Sequence, residues 1–325
     1  DSSDTHTCVV DDKNKVYCWG TNDKGQLGDG TVETSYLPVA VIDDAFKDKK
    51  IKFISLGMQK SCVLADNNRV YCWGNIGGHY FSGNYISSNQ LVPIDITGLA
   101  YTSKATSICV GDRLNAIDEN GRVYAGNVIG TGDKRFVSIS SYEENFYESV
   151  AIFVIDRQGT IYNWEMMYDN YTSENFTKLS VDGLDEKKFV KIVAGNNHIC
   201  AIDDKQKLYC WGNNSSGQLG TVVSGIEVDD AGALNNKKVI SVSLSNQYNY
   251  NDPHTCSLDQ DGKVCCWGSN KFGQLGDGTN VNNNVPVEID NNGIMKGKIV
   301  SLISAAYNRT CAVDKEGKIY CWGHK

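Results

Sequence analysis

Short apolar runs separated by polar turns fill this chain, and one pattern returns at long intervals. The first copy, CVVDDKNKVYCWG, begins at Cys8 with an apolar run, continues through Asp, Lys and Asn, and ends in a second apolar run and Trp-Gly. The other copies, of which the third and fourth are weaker, begin at Cys62, Asn115, Phe153, Cys200, Cys256 and Cys311. Two β-branched or aromatic runs around a turn are typical of a β-hairpin. The pattern therefore predicts seven hairpins, here named repeats one to seven.

The register within each hairpin follows if the two cysteines of a copy face each other. In repeat one, Val9 then lies opposite Tyr17 and Val10 opposite Val16, which leaves a three-residue turn. The third residue of such a turn adopts a left-handed conformation, which Gly and Asn tolerate best. The seven third positions are Asn14, Asn68, Gly121, Gly159, Gln206, Gly262 and Gly317. Only Gln206 departs from this preference.

Each hairpin is flanked by further strand-like segments. Upstream of repeats two to seven, short apolar runs end near residues 57, 111, 140, 195, 243 and 304. Downstream, runs from Leu37, Leu91 and Val285 each contain one proline, which suits an edge strand because proline donates no ladder hydrogen bond. The unit is therefore four strands, A to D, with the cysteine hairpin as B and C. Seven such units predict an all-β fold: a seven-bladed β-propeller with mostly four-stranded blades, as a single domain over residues 1–325.

The loop that follows the hairpins carries a family resemblance. YCWGTNDKGQLGDGT from Tyr17, YCWGNNSSGQLGT from Tyr209 and CCWGSNKFGQLGDGT from Cys265 resemble the repeat of the regulator of chromosome condensation family. The resemblance spans the whole chain and is weakest in repeats three and four. It implies a seven-bladed propeller, but propellers host many unrelated activities, so it leaves the function open.

Ten of the twelve cysteines form Cys-x9-Cys pairs within hairpins. The pairs are Cys8–Cys18, Cys62–Cys72, Cys200–Cys210, Cys256–Cys266 and Cys311–Cys321. The register places each pair face to face, and repeats three and four lose both members together, as a disulfide predicts. Five disulfides indicate an oxidising compartment, so we expect a secreted, periplasmic or cell-surface protein. Cys109 and Cys265 are left over, and we expect both to be unbridged, buried, small apolar side chains.

Composition and motifs narrow the function classes. The formal charge of −8 argues against a nucleic-acid partner, and no apolar run approaches the ~20 residues of a membrane span. The GDGT segments at Gly28 and Gly276 lack the ligands of a calcium loop and predict turns. His6, His198 and His254 share one repeat position, which favours a structural hydrogen bond. With no nucleophile elbow, HExxH helix or P-loop, we expect no cofactor, no metal and no catalysis.

Departures from the repeat pattern mark the candidate binding surface. The A–B loops of repeats four and six are long and aromatic, SYEENFYES and NQYNYNDPH, and repeat seven adds a tyrosine. Tyrosine-rich loops on a rigid scaffold suit recognition, although such rings also pack against neighbouring blades. The predicted binding residues are Tyr142, Phe146, Tyr147, Tyr248, Tyr250 and Tyr307.

The two ends of the sequence leave two strands unaccounted for. Repeat one shows no strand A before Cys8, and repeat seven shows no strand D after CWGHK. Unpaired strand edges are a liability. We therefore expect either flanking residues outside this sequence or a strand donated by a partner chain.

Three functions fit these features. The first is a secreted or cell-surface, non-catalytic propeller that serves as a protein-binding or assembly scaffold. The second is implied by the resemblance: guanine-nucleotide exchange on a Ran-type GTPase, which five disulfides and the acidic charge oppose. The third, also implied by resemblance, is a secreted enzyme inhibitor that binds through one propeller face, as a β-lactamase inhibitory protein does.

Overall fold

Each repeat of the chain folds into one antiparallel sheet. The computed structural model describes residues 1–3, 5–76, 89–97, 104–111, 114–125, 127–128, 133–143, 149–167, 176–195, 197–221, 227–228, 232–245, 252–290, 293 and 295–324. In repeats one to four the strands are β1 (His6–Val10), β2 (Val16–Gly20), β3 (Ser35–Ala40), β4 (Ile51–Leu56), β5 (Lys60–Ala65), β6 (Val70–Asn75), β7 (Asn89–Asp95), β8 (Ala105–Val110), β9 (Leu114–Asp118), β10 (Val123–Ala125), β11 (Asn127–Val128), β12 (Phe136–Glu143), β13 (Ser149–Asp156), β14 (Ile161–Met167) and β15 (Thr177–Lys178). In repeats five to seven they are β16 (Phe189–Ala194), β17 (His198–Asp203), β18 (Leu208–Gly212), β19 (Val239–Leu244), β20 (His254–Asp259), β21 (Val264–Gly268), β22 (Asn283–Glu288), β23 (Val300–Ala306), β24 (Arg309–Asp314) and β25 (Ile319–Gly323).

The strands of every sheet follow chain order. Repeats two, three, four and six contain strands A to D, whereas repeat one contains B to D among the described residues. Repeats five and seven contain A to C in the same ranges, and a single bridge between Tyr209 and Glu227 marks the place of strand D in repeat five. The predicted all-β fold of seven units is confirmed, and four of the seven sheets have the predicted four strands among the described residues.

The chain divides into two compact units. One contains residues 1–143, 147–157 and 162–177, and the other contains residues 144–146, 158–161 and 178–325. Repeats one to three and most of repeat four belong to the first unit, and repeats five to seven belong to the second. The single domain inferred from the sequence stays a prediction.

The cysteine hairpins have the register inferred from the sequence. Cys8 lies opposite Cys18, with Val9 opposite Tyr17 and Val10 opposite Val16. Each of the five expected pairs forms a disulfide, with Cα–Cα distances of 4.1–4.2 Å. This is close to the short separation of a non-hydrogen-bonded pair in an antiparallel ladder.

The B–C turn is held by an aspartate at the end of strand B. In repeat five, Asp203 Oδ1 accepts hydrogen bonds from the backbone N–H groups of Lys205 and Lys207, both at 2.9 Å. Asp11, Asp118, Asp259 and Asp314 accept the same pair of bonds. The third turn residue has positive φ in all seven repeats, including Gln206 at +65°. The aspartate therefore closes the turn even where the third residue is neither Gly nor Asn.

That third turn residue also ties its repeat to the next one. The Gln206 carbonyl accepts a hydrogen bond from the N–H of Val239, the first residue of β19, at 2.9 Å. Equivalent bonds join Asn68 to Ala105, Gly121 to Phe136, Gly159 to Phe189 and Gly262 to Val300. Successive sheets are thus linked at the B–C end of their strands.

The Trp-Gly and Gln-Leu-Gly elements link successive sheets a second time. The Trp267 indole Nε1 donates to the Gln218 carbonyl of the preceding repeat at 2.9 Å. Trp73 donates likewise to Gln26 at 2.9 Å, and Trp322 to Gln274 at 3.0 Å. The string Gln-Leu-Gly recurs because its backbone receives the indole of the next repeat.

Gly220, which ends the Gln-Leu-Gly element of repeat five, tests this contact. Its φ is +73°, and an added Cβ would lie 2.7 Å from Trp267 Nε1. Gly297 has a φ of +71° but no atom within 4 Å of an added Cβ. We expect Gly220→Ala to lower the free energy of unfolding by about 2–4 kcal/mol and Gly297→Ala by about 1 kcal/mol, because only the first overpacks the indole. Denaturant titration measures both losses, and equal losses would contradict the contact.

Asp1 and Ser2 lie along the inner edge of β1. The Asp1 nitrogen donates to the Cys8 carbonyl at 2.9 Å, the Asp1 carbonyl accepts from the Cys8 N–H at 3.0 Å, and Ser2 forms a bridge with Thr7. These two residues hold the register that Ser55 and Leu56 hold in repeat two. Repeat one thus has no strand A among the described residues, as expected, and these two residues make only a pair of backbone hydrogen bonds and an isolated bridge in its place.

Within each unit, the apolar core lies between successive sheets. Between repeats one and two, the Phe46 ring packs on Tyr71 and Trp73, with ring centroids 5.6 and 6.5 Å apart. Between repeats five and six, Leu234 and Val239 belong to one buried apolar cluster with Trp267. Burial of these large side chains between sheets holds the loops at the strand ends in fixed positions.

Candidate interaction site

The structure describes two of the six predicted binding residues, one in each unit. Tyr142 lies near the end of β12, and Tyr307 lies in the turn between β23 and β24. Phe146, Tyr147, Tyr248 and Tyr250 lie outside the described residues. The aromatic surface predicted from all six stays a prediction.

The Tyr142 ring packs within its own repeat. It stacks on Phe153, with ring centroids 6.0 Å apart and an interplanar angle of 17°. Phe153 is buried and occupies the place of the first cysteine in repeat four. The Tyr142 ring therefore contributes to packing, which was the alternative to binding for the tyrosines of these loops. A binding role for Tyr142 stays a prediction.

Tyr307 belongs to a small group of rings in the second unit. The His324 ring lies edge-on to Phe272, with centroids 5.1 Å apart, and to Tyr307, with centroids 6.3 Å apart. The Lys271 ammonium lies 5.5 Å from the centroid of the Phe272 ring. Phe272, Tyr307 and His324 are all at least partly exposed. We name these three rings the repeat-seven aromatic cluster.

The backbone holds this cluster in a strained turn. Ala306 pairs with Arg309, so Tyr307 and Asn308 form a two-residue hairpin turn, and φ at Tyr307 is +47°. The Asn308 carbonyl accepts a hydrogen bond from the His324 N–H at 2.8 Å, which ties the turn to the end of β25. A left-handed conformation costs a bulky residue about 1–2 kcal/mol, and such turns prefer Gly. Tyr307 thus occupies a left-handed turn position with its side chain partly exposed.

Sequence reasoning missed Phe272 and His324. Phe272 and His324 each lie in a loop that follows a Trp-Gly dipeptide. The position of Phe272 holds Lys24 in repeat one and Ser216 in repeat five, and the position of His324 holds Thr21 in repeat one. The sequence offered one signal for these two residues: each is an aromatic side chain at a position that is polar in other repeats. It was weak because only the packing of repeat six on repeat seven brings both rings beside Tyr307.

The three repeated histidines bridge neighbouring repeats. Their Nε2 atoms lie 2.7–2.9 Å from a hydroxyl of the next repeat, in the pairs His6–Ser61, His198–Thr255 and His254–Thr310. Each hydroxyl donates to a Gln carbonyl at 2.8–2.9 Å, so the imidazole donates to the hydroxyl oxygen. The expected structural hydrogen bond is present in all three. Burial lowers the pKa of His198 and of His254 to about 3, and His198 adds to the effect on His254.

The two unbridged cysteines have different surroundings. Cys265 is buried in the apolar cluster around Trp267, and burial, with smaller contributions from nearby carboxylates, raises the pKa of its thiol to about 12. Cys109 is only half-buried, and its Sγ lies 3.2 Å from Ser141 Oγ. The expectation of a buried, small apolar side chain is therefore wrong for Cys109. Asn115, which replaces a disulfide cysteine, donates to the same hydroxyl at 2.9 Å and makes this position polar.

The GDGT segments form turns. Asp277 Oδ1 accepts from the Thr279 N–H at 2.9 Å and from Asn270 Nδ2 at 3.0 Å, so its carboxylate is used within the loop. In the part of the chain that the structure describes, no three His, Cys, Asp or Glu side chains gather as a metal site. In the same ranges, no helix has the length and apolar content to cross a membrane.

Comparison with known proteins agrees with this architecture. Residues 2–325 match the family described as RCC1-like domain. The ultraviolet-B receptor UVR8 of Arabidopsis thaliana is 24% identical over 98% of this chain and 75% of its own length. The structure of Prp20p from Saccharomyces cerevisiae matches with a TM-score of 0.74 and 18% identity, over 99% of this chain and 80% of that one. The CRINKLY WD40 ectodomain of the Arabidopsis thaliana receptor kinase ACR4 matches with a TM-score of 0.52 and 18% identity, over 98% and 94%.

The seven sheets are the blades of a seven-bladed β-propeller, as in Prp20p. The repeated Trp-Gly and Gln-Leu-Gly elements make these blades RCC1-type repeats. The chain belongs to the RCC1-like domain family.

Proposed function

We propose that this chain is a non-catalytic protein-binding module that uses the repeat-seven aromatic cluster to contact its partner. The observation that carries the proposal is Tyr307, a tyrosine in a strained, left-handed turn position with φ +47°. Rigid aromatic side chains on a fixed scaffold lose little entropy on binding, which suits them to recognition. Among similar proteins, Prp20p is described by its binding to Gsp1p and histones.

We further propose that the module works in an oxidising compartment, secreted or on a cell surface. Five disulfides within hairpins support this, because such bonds persist outside the reducing cytosol. The same fold occurs in the ectodomain of the receptor kinase ACR4. Nucleotide exchange on a Ran-type GTPase is less well supported, because it takes place in a reducing environment. Enzyme inhibition through one propeller face agrees with the oxidising location and is one form of the proposed binding.

The compartment has a direct chemical test. The native protein, denatured without a reductant, should expose two titratable thiols, those of Cys109 and Cys265. Thiol titration of protein purified from its source with an alkylating quench measures this number. Twelve thiols would contradict the proposed location and would favour the alternative function, nucleotide exchange on a Ran-type GTPase.

The binding surface has a test that separates recognition from packing. We expect Tyr307→Gly to leave the free energy of unfolding unchanged or to raise it by up to about 1 kcal/mol, because Gly relieves the left-handed strain. We also expect this variant to lose capture of the partner from an extracellular extract. Tyr36→Ala is the matched control, since Tyr36 is 88% exposed on β3. A Tyr307→Gly variant that loses stability and still captures the partner would show that the ring serves packing alone.

A further inference from the structure

The chain contains five Asn-x-Ser/Thr sequences, the acceptor pattern for N-linked glycans. They begin at Asn170, Asn175, Asn213, Asn214 and Asn308. Asn170 and Asn175 lie outside the described residues. The structure describes the other three, which belong to repeats five and seven and have different surroundings.

The acceptor sequence at Asn308 is buried. Asn308 is 2% exposed, and Thr310, the third residue of the sequence, is 0% exposed. The Thr310 hydroxyl donates to the Gln274 carbonyl at 2.8 Å and lies 2.9 Å from His254 Nε2. A glycan is bulky and hydrophilic, so it does not fit on Asn308 in this close-packed contact between repeats six and seven.

Asn214 lies in the loop after β18, where its amide anchors the loop. Its Oδ1 accepts the Leu219 N–H at 2.9 Å, and Asn22 and Asn270 make the equivalent bond in repeats one and six, also at 2.9 Å. In those repeats the Nδ2 atom of the asparagine donates to the GDGT segment of the same loop. A glycan on Asn214 would therefore start from the atom that closes this loop in repeats one and six.

Asn213 uses only one end of its amide. Asn213 is exposed, and its Oδ1 accepts the Ser215 N–H at 2.8 Å and a hydrogen of Gln218 Nε2 at 3.0 Å. Among the described residues, the Asn213 Nδ2 donates to none. N-linked glycosylation replaces one hydrogen on Nδ2 and leaves Oδ1 as an acceptor. A glycan on Asn213 is thus compatible with both bonds that hold the turn.

The third residue of this acceptor sequence, Ser215, is accessible as well. Ser215 is exposed, and in the part of the chain that the structure describes its hydroxyl makes no hydrogen bond. The bond from the Ser215 N–H to Asn213 closes an Asx turn, which brings the hydroxyl-bearing residue back beside the acceptor amide. The structure thus exposes both the asparagine and the serine that this modification needs.

We propose that Asn213 carries an N-linked glycan, donated by a lipid-linked oligosaccharide. The inference rests on the oxidising compartment of the proposed function, because such glycans are attached in the lumen in which disulfides form. In the transfer, Asn213 Nδ2 bonds to the anomeric carbon of the oligosaccharide and loses one proton. The bond from that carbon to the lipid diphosphate breaks, and the diphosphate leaves with the electron pair.

Mass spectrometry of peptides from the chain, purified from its source, tests the proposal. We expect the peptide that contains Asn213 to carry a glycan, and a peptide N-glycosidase to convert Asn213 to Asp, while Asn308 stays unmodified. The thiols of the same preparation are counted in parallel. Two thiols without a glycan on Asn213 would overturn this proposal and leave the compartment intact, whereas twelve thiols would overturn both.

Two serine variants assign the glycan without changing either asparagine. Ser215→Ala removes the acceptor sequence of Asn213 and keeps that of Asn214, whereas Ser216→Ala does the reverse. In the disulfide-bonded chain secreted from a eukaryotic cell, Ser215→Ala should lose the glycan-bearing form, and Ser216→Ala and Ser215→Thr should keep it. Ser215→Ala should leave the circular dichroism spectrum unchanged, because the lost hydroxyl makes no hydrogen bond to the described residues. A glycan that persists in Ser215→Ala and disappears in Ser216→Ala would place it on Asn214 and overturn the proposal.

Discussion

Reduction of the five disulfides is expected to unfold the chain under conditions in which the oxidised chain is folded. Each bond joins residues with a sequence separation of 10. Closing such a loop removes entropy from the unfolded chain, worth about 2.5–3 kcal/mol per bond. The five together amount to roughly 13 kcal/mol, which is comparable with the entire net stability of a typical domain, about 5–15 kcal/mol.

Guanidinium titration with and without a reductant measures this effect through tryptophan fluorescence. The control is oxidised protein treated with an alkylating reagent, because this can modify only the thiols of Cys109 and Cys265. We expect alkylation of the oxidised protein to leave the midpoint nearly unchanged and reduction to abolish the folded baseline. Coincident curves for oxidised and reduced protein would show that the bonds contribute nothing to stability.

A graded version removes one bond at a time. The double variant Cys256→Ala with Cys266→Ala should lose about 2.5–3 kcal/mol, whereas Cys109→Ser, which breaks no bond, should lose less than about 1 kcal/mol. Repeat three shows that the hairpin register does not require the bond, since Asn115 lies opposite Ala125 in the same register without a disulfide. The disulfide therefore stabilises a hairpin whose register the side-chain pattern already specifies.

The strand order and the hairpin register could be read from the sequence because they depend on local signals. Facing cysteines, alternating apolar positions and turn residues all act within about a dozen residues. Gln206 shows the limit of this reasoning. Its side chain is a poor choice for a left-handed turn, yet φ is +65°, because Asp203 closes the turn and Val239 of the next repeat binds the Gln206 carbonyl. Contacts with a neighbouring repeat override the preference of one residue.

The candidate site was less accessible from the sequence for the same reason. Tyr307 could be predicted because it stands in an A–B loop, but its partners Phe272 and His324 belong to loops that only the packing of two repeats brings together. Equally, the stacking of Tyr142 on Phe153 depends on the loss of a cysteine in repeat four, which leaves room for a ring. Local pattern specifies the blades, and the contacts between blades specify the surface.

Lowering the pH from 7 to 5 is expected to destabilise the chain through His198 and His254. Both side chains are buried, and burial lowers their pKa to about 3, against an ordinary value of about 6.5 in the unfolded chain. Between these values the unfolded chain binds a proton that the folded chain does not bind. Stability is therefore fully present above about pH 6.5 and falls as the pH decreases, by about 1.4 kcal/mol per pH unit and per histidine. At pH 5 the loss is about 2 kcal/mol for each, or roughly 4 kcal/mol together.

Urea titrations at half-unit intervals between pH 7 and pH 5 measure this slope, in a range above the ordinary pKa values of Asp and Glu. His198→Gln and His254→Gln are the informative variants, because glutamine keeps an N–H donor for Thr255 or Thr310 and does not titrate. Each substitution should lower the slope below pH 6.5 by about 1.4 kcal/mol per pH unit, whatever it does to the stability at pH 7. A slope that the double substitution leaves unchanged would mean that other groups produce it, and that both imidazoles take up protons in the folded chain as they do in the unfolded chain. The imidazole would then be charged in its contact with the hydroxyl, and the contact between two repeats would not depend on a neutral imidazole.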